Sequence, residues 1–361
     1  MKKGWIVSLA LLLLVPWTAS GEAAEEIYRI VDESGTYITH YSGTPEAGDE
    51  YIAHDNTWFA IRTVDAATHT ALAESKGPYD MPGVDWLREG DDSQAVSAAR
   101  RAVALYCTHS DESYEPTDGD ASVTPRGGIY DVAEALKNNL ESQGVTVYFD
   151  DSTHLPHDAG AYRRSRATAE QLLKNGVDAI FDVHRDGIPD PDQYNTTIAG
   201  EKASMVRLLV GRSNQNAAAN KAFAAELKAV ADEMYPELVR DIYIGKGTYN
   251  QDLSPRAVLL EFGTHTVDKE RAEQATQYMA RVMQKTLYGG VSGAAGSDTG
   301  DPAARERRGA WTGIAWIVGV AVVGAAVFAL ASTGGIRPAM GKLKDSAREM
   351  TGGLFTKKNK E

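Results

Sequence analysis

Residues 102–112 read AVALYCTHSDE. The first five are apolar or aromatic without alternation, the pattern of a short strand buried on both faces, as in a parallel sheet. A dense polar cluster, Cys107-Thr108-His109-Ser110-Asp111-Glu112, follows at once. The same order recurs twice downstream: residues 179–186 read AIFDVHRD, and Val258, Leu259 and Leu260 lead into Glu261. Between these strands lie segments with apolar residues at helical spacing. One contains Val132, Ala135, Leu136 and Leu140 and stops at Gly144; others cover 162–175, 217–235 and 271–288. Further strands are expected over 145–149 and 205–210. Strand and helix in alternation predict an α/β fold with a mainly parallel sheet flanked by helices. Ligands in such sheets sit at the carboxyl ends of the strands, so the three polar clusters are expected to share one crevice.

Working outward, residues 96–289 form the expected catalytic domain. Before it, a Gly/Pro/Asp-rich linker is expected over 76–95, and a small all-β unit over 25–75, where short strand-like segments are separated by turns. Residues 1–24 read as a signal peptide: Lys2 and Lys3, an apolar run, then small residues. After the domain, 290–310 is a Gly/Ser/Ala-rich flexible tether. Residues 311–331 carry no charge and are long enough for a transmembrane helix, with Trp311 and Trp316 suited to an interface. The basic tail over 332–361 then belongs on the cytoplasmic side, giving a single-pass cell-membrane protein whose catalytic domain is extracytoplasmic. The formal net charge of −13 argues against a nucleic-acid partner, which requires basic patches. A single cysteine, Cys107, leaves no internal disulfide.

Two histidines and several carboxylates at neighbouring strand ends suit zinc. A hydrolytic zinc takes three protein ligands and keeps one position open for water. His109 and His184 are the expected ligands, with a carboxylate near the first cluster as the third, either Glu112 or Asp131 at the start of the next helix. Glu261 is the expected acid/base, taking a proton from water and returning it to the leaving amine. Cys107 reads as a small buried strand residue, a nucleophile or a thiolate ligand. Arg185 and Asp186, adjoining His184, are candidates for orienting it or for binding a substrate carboxylate. Arg166, Asn250, Gln251 and Asp252 are candidates for holding substrate. His154, His157 and His265 read as loop histidines, and His40, His54 and His69 belong to the β unit.

Six stretches also resemble the stage II sporulation protein P family of spore-forming bacteria: 106–114 (YCTHSDESY), 128–136 (GIYDVAEAL), 160–167 (GAYRRSRA), 181–186 (FDVHRD), 249–253 (YNQDL) and 259–263 (LLEFG). The resemblance implies a phosphorylase/hydrolase-like α/β fold and zinc-dependent N-acetylmuramoyl-L-alanine amidase activity. The bond cut would be the amide between N-acetylmuramic acid and L-alanine of the peptidoglycan stem peptide. Family members are also associated with cleaving stem-peptide cross-links, beside a lytic transglycosylase partner. A zinc endopeptidase, or a catalytically silent wall-binding or partner-recruiting module, is the alternative. His109, His184 and Glu261 match the family's essential positions. The family usually reads His-Thr-His where this chain has Cys107-Thr108-His109. Familiar members carry an N-terminal anchor, where this chain reads as a signal peptide with a C-terminal span.

Overall fold

The structure is a computed structural model describing residues 26–87, 101–158 and 160–289. The expected signal peptide, tether, transmembrane helix and basic tail lie outside the described residues. Among those described, no helix is long and apolar enough to cross a membrane.

The chain begins with five strands, β1 (Ile27–Val31), β2 (Tyr37–Ser42), β3 (Glu50–Ile52), β4 (Thr57–Asp65) and β5 (Thr70–Pro78). An α/β succession follows: β6 (Ala102–Tyr106), the short α1 (Glu115–Asp118), α2 (Ile129–Glu141), β7 (Thr146–Phe149), α3 (Ala161–Leu173) and β8 (Ala179–Asp186). A hairpin of β9 (Asn195–Ile198) and β10 (Glu201–Ser204) precedes β11 (Val206–Gly211), α4 (Ala217–Met234), β12 (Val239–Gly245), β13 (Ala257–Thr264) and α5 (Lys269–Tyr288). Eleven strands make one sheet in the order β2-β1-β5-β4-β3-β12-β11-β13-β8-β6-β7.

The sheet is mixed, which corrects the expectation of a mainly parallel one. Five neighbouring pairs are parallel and five antiparallel. Two causes are visible. Parallel neighbours need a crossover, usually helical. Between β8 and β11 the chain offers only the β9–β10 hairpin, and β11 runs antiparallel to β13. The N-terminal strands are also joined to this sheet, because Ile52 of β3 pairs with Ile242 of β12 in antiparallel register. The expected all-β unit is therefore continuous with the α/β sheet.

Alternation along the strands separates two chemistries. Val103 and Leu105, Phe181 and Val183, Leu208 and Val210, Ile242 and Ile244, and Leu260 and Phe262 share the main apolar core with α2, α4 and α5. The intervening residues point the other way. There Ala104, Tyr106, Ile180 and Ala257 pack with Ala169 and Leu172 of α3, while Leu209, Tyr243 and Leu259 pack with Ile30, Tyr41, Tyr51 and Ile61 of the N-terminal strands. This second face also takes Asp182, His184, Arg207, Asp241 and Glu261, since each is an even number of residues from an apolar member of that face. One side of the sheet is thus largely apolar, and most of the buried charge lies on the other.

Candidate metal centre

The segment after β6 is fixed by backbone and side chain together. Asp182 of β8 accepts hydrogen bonds from Thr108 N at 2.8 Å and Thr108 Oγ1 at 2.6 Å. Glu112 pairs with Ser122 in an isolated bridge, and its carbonyl accepts from Ile129 N at 3.0 Å. Gly127 passes so close that a Cβ there would lie 2.1 Å from the Glu112 carbonyl oxygen. These contacts turn the Glu112 carboxylate inward, where it is 2% exposed.

Two side chains and a backbone N–H converge on that carboxylate. His109 Nδ1 and His184 Nδ1 each lie 3.0 Å from Glu112 Oε1. The backbone N–H of Arg185 donates to Glu112 Oε2 at 3.0 Å. Burial raises the Glu112 carboxyl, but His184, His109 and Arg185 outweigh it, and the group sits well below the usual range. Burial lowers His184, and the carboxylates of Glu112 and Asp182 reverse this, lifting it well above an ordinary imidazole. At His109 burial prevails over Glu112 and the imidazole is lowered. His184 Nε2 is 3.0 Å from Asp182 Oδ1. It is out of line for a hydrogen bond and has no other partner, so these two groups interact as charges.

The chemistry of the donor set suits zinc, and His109, Glu112 and His157 offer donor atoms within 4.8 Å of one another. Donors bound at ~2.0–2.1 Å around a tetrahedral zinc are themselves about 3.3 Å apart, close to the spacing of the two imidazole nitrogens from Glu112 Oε1. Two imidazoles and one carboxylate are a hydrolytic zinc set.

Glu261 is placed by a β-bulge. Between β13 and β8 the register runs from Glu261↔His184 to Thr264↔Asp186, so three steps on one strand match two on the other. Gly263 absorbs the extra residue at φ +75°, where a Cβ would meet Val267 at 2.7 Å and Ser204 at 2.8 Å. Thr264 Oγ1 closes the bulge by donating to Asp186 O at 2.9 Å. Bulges of this kind re-aim side chains beside functional sites. On its other flank Glu261 stands opposite Arg207 of β11.

Arg207 is fully buried and largely committed elsewhere. Its Nε donates to Asp241 Oδ1 at 2.7 Å, its Nη1 to Asp186 Oδ2 at 2.8 Å, and its Nη2 to Asp241 Oδ2 at 3.1 Å and His40 O at 3.1 Å. Glu261 Oε2 is left 3.9 Å from Arg207 Nη1 and 3.5 Å from the Tyr194 hydroxyl. Burial and the neighbouring Asp186 raise the Glu261 carboxyl, and Arg207 and His184 offset this only in part, so it sits well above the usual range. A carboxyl raised in this way is suited to take up a proton and give it back.

The remaining candidates divide. Arg185 Nη2 donates to Ala121 O at 3.0 Å, and its backbone supports Glu112. Arg166 on α3 makes a bidentate pair with Asp252, both bonds 2.8 Å. Asn250 Nδ2 donates to Tyr162 O at 2.9 Å and Ser165 Oγ at 3.0 Å. Gln251 bridges the backbone of β11, donating to Leu209 O and accepting from Gly211 N. Asp131 is 57% exposed and paired with Lys269 at 2.7 Å, so Glu112 is the carboxylate brought to the histidines. Cys107 lies in the apolar core, where burial and the Asp182 and Glu112 carboxylates push its thiol up, against a thiolate role.

Five further residues stand at or beside the site without a role read from the sequence. Asp182 heads the polar cluster that ends β8 but carries no role in the sequence reading, and Arg207 is a lone charge inside an apolar run. His154 is a buried brace, with Nδ1 2.8 Å from Cys107 O and Nε2 2.9 Å from Thr168 Oγ1. His157 stacks on His109 with ring centroids 3.9 Å apart. His265 is adjacent, its backbone N–H bonded to Asp186 O at 3.2 Å.

This fold and site define a mixed α/β chain with two histidines and a carboxylate gathered beside an isolated, raised carboxyl. Residues 53–284 match the stage II sporulation protein P (SpoIIP) family, and the chain belongs to that family. It is similar to stage II sporulation protein P of Bacillus subtilis (strain 168), with 29% identity over 217 residues, covering 55% of this chain and 54% of the relative. The chain thus aligns with about half the length of that curated relative. Among solved structures it is similar to the CwlD amidase of Clostridioides difficile in complex with the GerS lipoprotein, at 16% identity and TM-score 0.35, covering 52% of this chain and 98% of that one. A second is the N-acetylmuramoyl-L-alanine amidase AmiC2 of Nostoc punctiforme, at 14% identity and TM-score 0.34, covering 52% and 98%. Likeness at that level carries no functional weight.

Proposed function

We propose that this chain is a zinc-dependent peptidoglycan hydrolase that cuts the amide between N-acetylmuramic acid and L-alanine, on the outer side of the cytoplasmic membrane. The observation that carries the reading is the His109/Glu112/His184 donor set on the same polar face as Glu261, whose carboxyl is raised. Membership of a sporulation protein family supports a cell-wall substrate, and an amide is the bond that such a site is equipped to hydrolyse.

His109, Glu112 and His184 would hold zinc, with the Arg185 N–H and Asp182 orienting that set. Zinc bound there supplies a Lewis acid for the scissile carbonyl and acidifies water. Glu261 accepts the proton from the attacking water and returns it to the leaving amine. Its high proton affinity follows from burial beside Asp186, while Arg207 keeps the carboxyl in place without a close ion pair. A lytic transglycosylase that opens the glycan would act beside this chain on the same wall.

The test is digestion of purified peptidoglycan with the zinc-loaded full-length protein and mass spectrometry of the products. The expected products are free stem peptides beginning at L-alanine, with stripped glycan left behind. Shortened peptides still attached to muramic acid would replace the amidase with an endopeptidase. Release of nothing, with zinc bound and a transglycosylase present, would overturn the hydrolase.

A further inference from the structure

The geometry points to His157 as a fourth protein donor to the metal centre, one that closes the position a hydrolytic zinc keeps for water. This rests on the zinc reading above and goes beyond it. One donor atom each from His109, Glu112 and His157 lies within 4.8 Å of the others, and His184 Nδ1 stands 3.0 Å from Glu112 Oε1. Its ring stacks on that of His109 and its side chain is 11% exposed, so it is held at the site.

The surroundings of His157 are those of a metal ligand. A ligating histidine characteristically gives its other ring nitrogen to a carboxylate, which fixes the tautomer and makes the ring a better donor. His157 Nδ1 lies 3.1 Å from Asp111 Oδ1. Asp111 is itself anchored, accepting a hydrogen bond from Ser122 Oγ and making a backbone bond through its carbonyl to Val123 N at 2.8 Å. His109 and His184, by contrast, both turn Nδ1 to Glu112.

The placement of His157 also differs from that of the other three. His184 is in the sheet, and His109 and Glu112 are in the clamped segment after β6. His157 belongs to the connection between β7 and α3, away from any strand. Four protein donors characterise closed zinc sites, and three with an open position characterise hydrolytic ones. His157 therefore caps the centre and is the donor to be displaced when substrate reaches it.

The experiment uses the full-length protein with His157→Ala and His157→Gln, the second keeping bulk and a hydrogen-bonding group should the first misfold. Zinc affinity is measured by competition with a chromogenic chelator. The cobalt-substituted chains are then titrated with azide and followed by visible absorption. Both variants are expected to keep one metal per chain, with affinity lower by roughly 10–100-fold, the size of effect known for groups supporting a metal site. Azide is expected to shift the cobalt spectrum of the variants at concentrations that leave the unaltered chain unchanged. Equal affinities, or an unaltered chain that takes azide as readily as the variants, would overturn the cap and leave the zinc centre standing. Failure of the unaltered chain to hold zinc or cobalt would instead remove the centre itself, and the cap with it.

Discussion

Two buried, charge-rich clusters flank Glu261 on one face of the sheet, and they are built by opposite rules. On one flank Arg207 supplies a cation, and Asp241 and Asp186 hold it through directed hydrogen bonds of 2.7–3.1 Å. On the other flank two imidazoles face one carboxylate oxygen at 3.0 Å, and a second carboxylate, Asp182, stands 3.0 Å behind. The first cluster is complete in itself. The second is a set of lone-pair donors at the spacing of metal ligands. Glu261 lies between them, bonded tightly to neither; burial and Asp186 raise its carboxyl, and Arg207 and His184 offset this only in part.

If this division is right, the two flanks respond differently to substitution. The largest effect is expected at the centre: Glu261→Gln should lower peptidoglycan hydrolysis by ~10²–10⁴-fold, the usual contribution of a positioned acid/base. Zinc content, read by mass spectrometry, should be unchanged in that variant, whereas His184→Ala should lose both metal and activity.

The next largest effect concerns folding. Arg207→Met leaves Asp186 buried without its cation and Asp241 with only Arg240 at 2.9 Å, and removing one partner of such a buried pair costs about 3–5 kcal/mol. Urea unfolding should show that loss. Adding Asp241→Asn should recover part of it, because fewer uncompensated charges remain. Equal losses in the single and double variants would break the picture of a self-contained ion cluster.

Gly263→Ala should destabilise by about 1–3 kcal/mol, because a side chain would be forced into a left-handed backbone conformation. It should also lower kcat, since the same bulge aims Glu261. A change in stability with kcat intact would separate the bulge from the chemistry.

The smallest effect is in acid. Burial raises Asp241, but Arg207 and Arg240 overcome this and hold its carboxyl below the usual range. With a depressed folded value, the unfolded chain takes up the proton first. The stability contributed by Asp241 is then fully present above the unfolded value of ~3.9 and is lost as pH falls through the folded one. Asp241→Asn should therefore show a shallower loss of stability below about pH 4 than the unaltered chain.

Much of this arrangement was legible in the chain itself, and the reasons for the rest are physical. Strands with apolar runs were readable, and so were helices such as α2 and α3, each followed closely by a glycine, Gly144 and Gly176, at positive φ. β12 was not, because Arg240 and Asp241 interrupt its apolar pattern; both turn out to be buried and paired. Strand direction was misjudged because it depends on connections, and the β9–β10 hairpin does not announce itself as a replacement for a helix. The joining of β3 to β12 pairs residues nearly two hundred positions apart, beyond the reach of any local pattern.

At the site, His109, His184 and Glu261 could be found because each follows an apolar strand. The choice of Glu112 over Asp131 could not, since it turns on the Lys269 pairing that keeps Asp131 at the surface. His157 carried no strand-end signal. Its position follows from how the connection between β7 and α3 folds back, and from a carboxylate, Asp111, that sits 46 residues earlier in the chain.

The contrast between the flanks comes down to metal stoichiometry. Equilibrium dialysis of the full-length protein against zinc, followed by elemental analysis, should be run with Glu112→Gln and Asp241→Asn alongside. One zinc per chain is predicted for the unaltered protein and for Asp241→Asn, with none retained by Glu112→Gln. Full zinc retention by Glu112→Gln, or loss of zinc in a folded Asp241→Asn, would contradict the assignment of the two clusters.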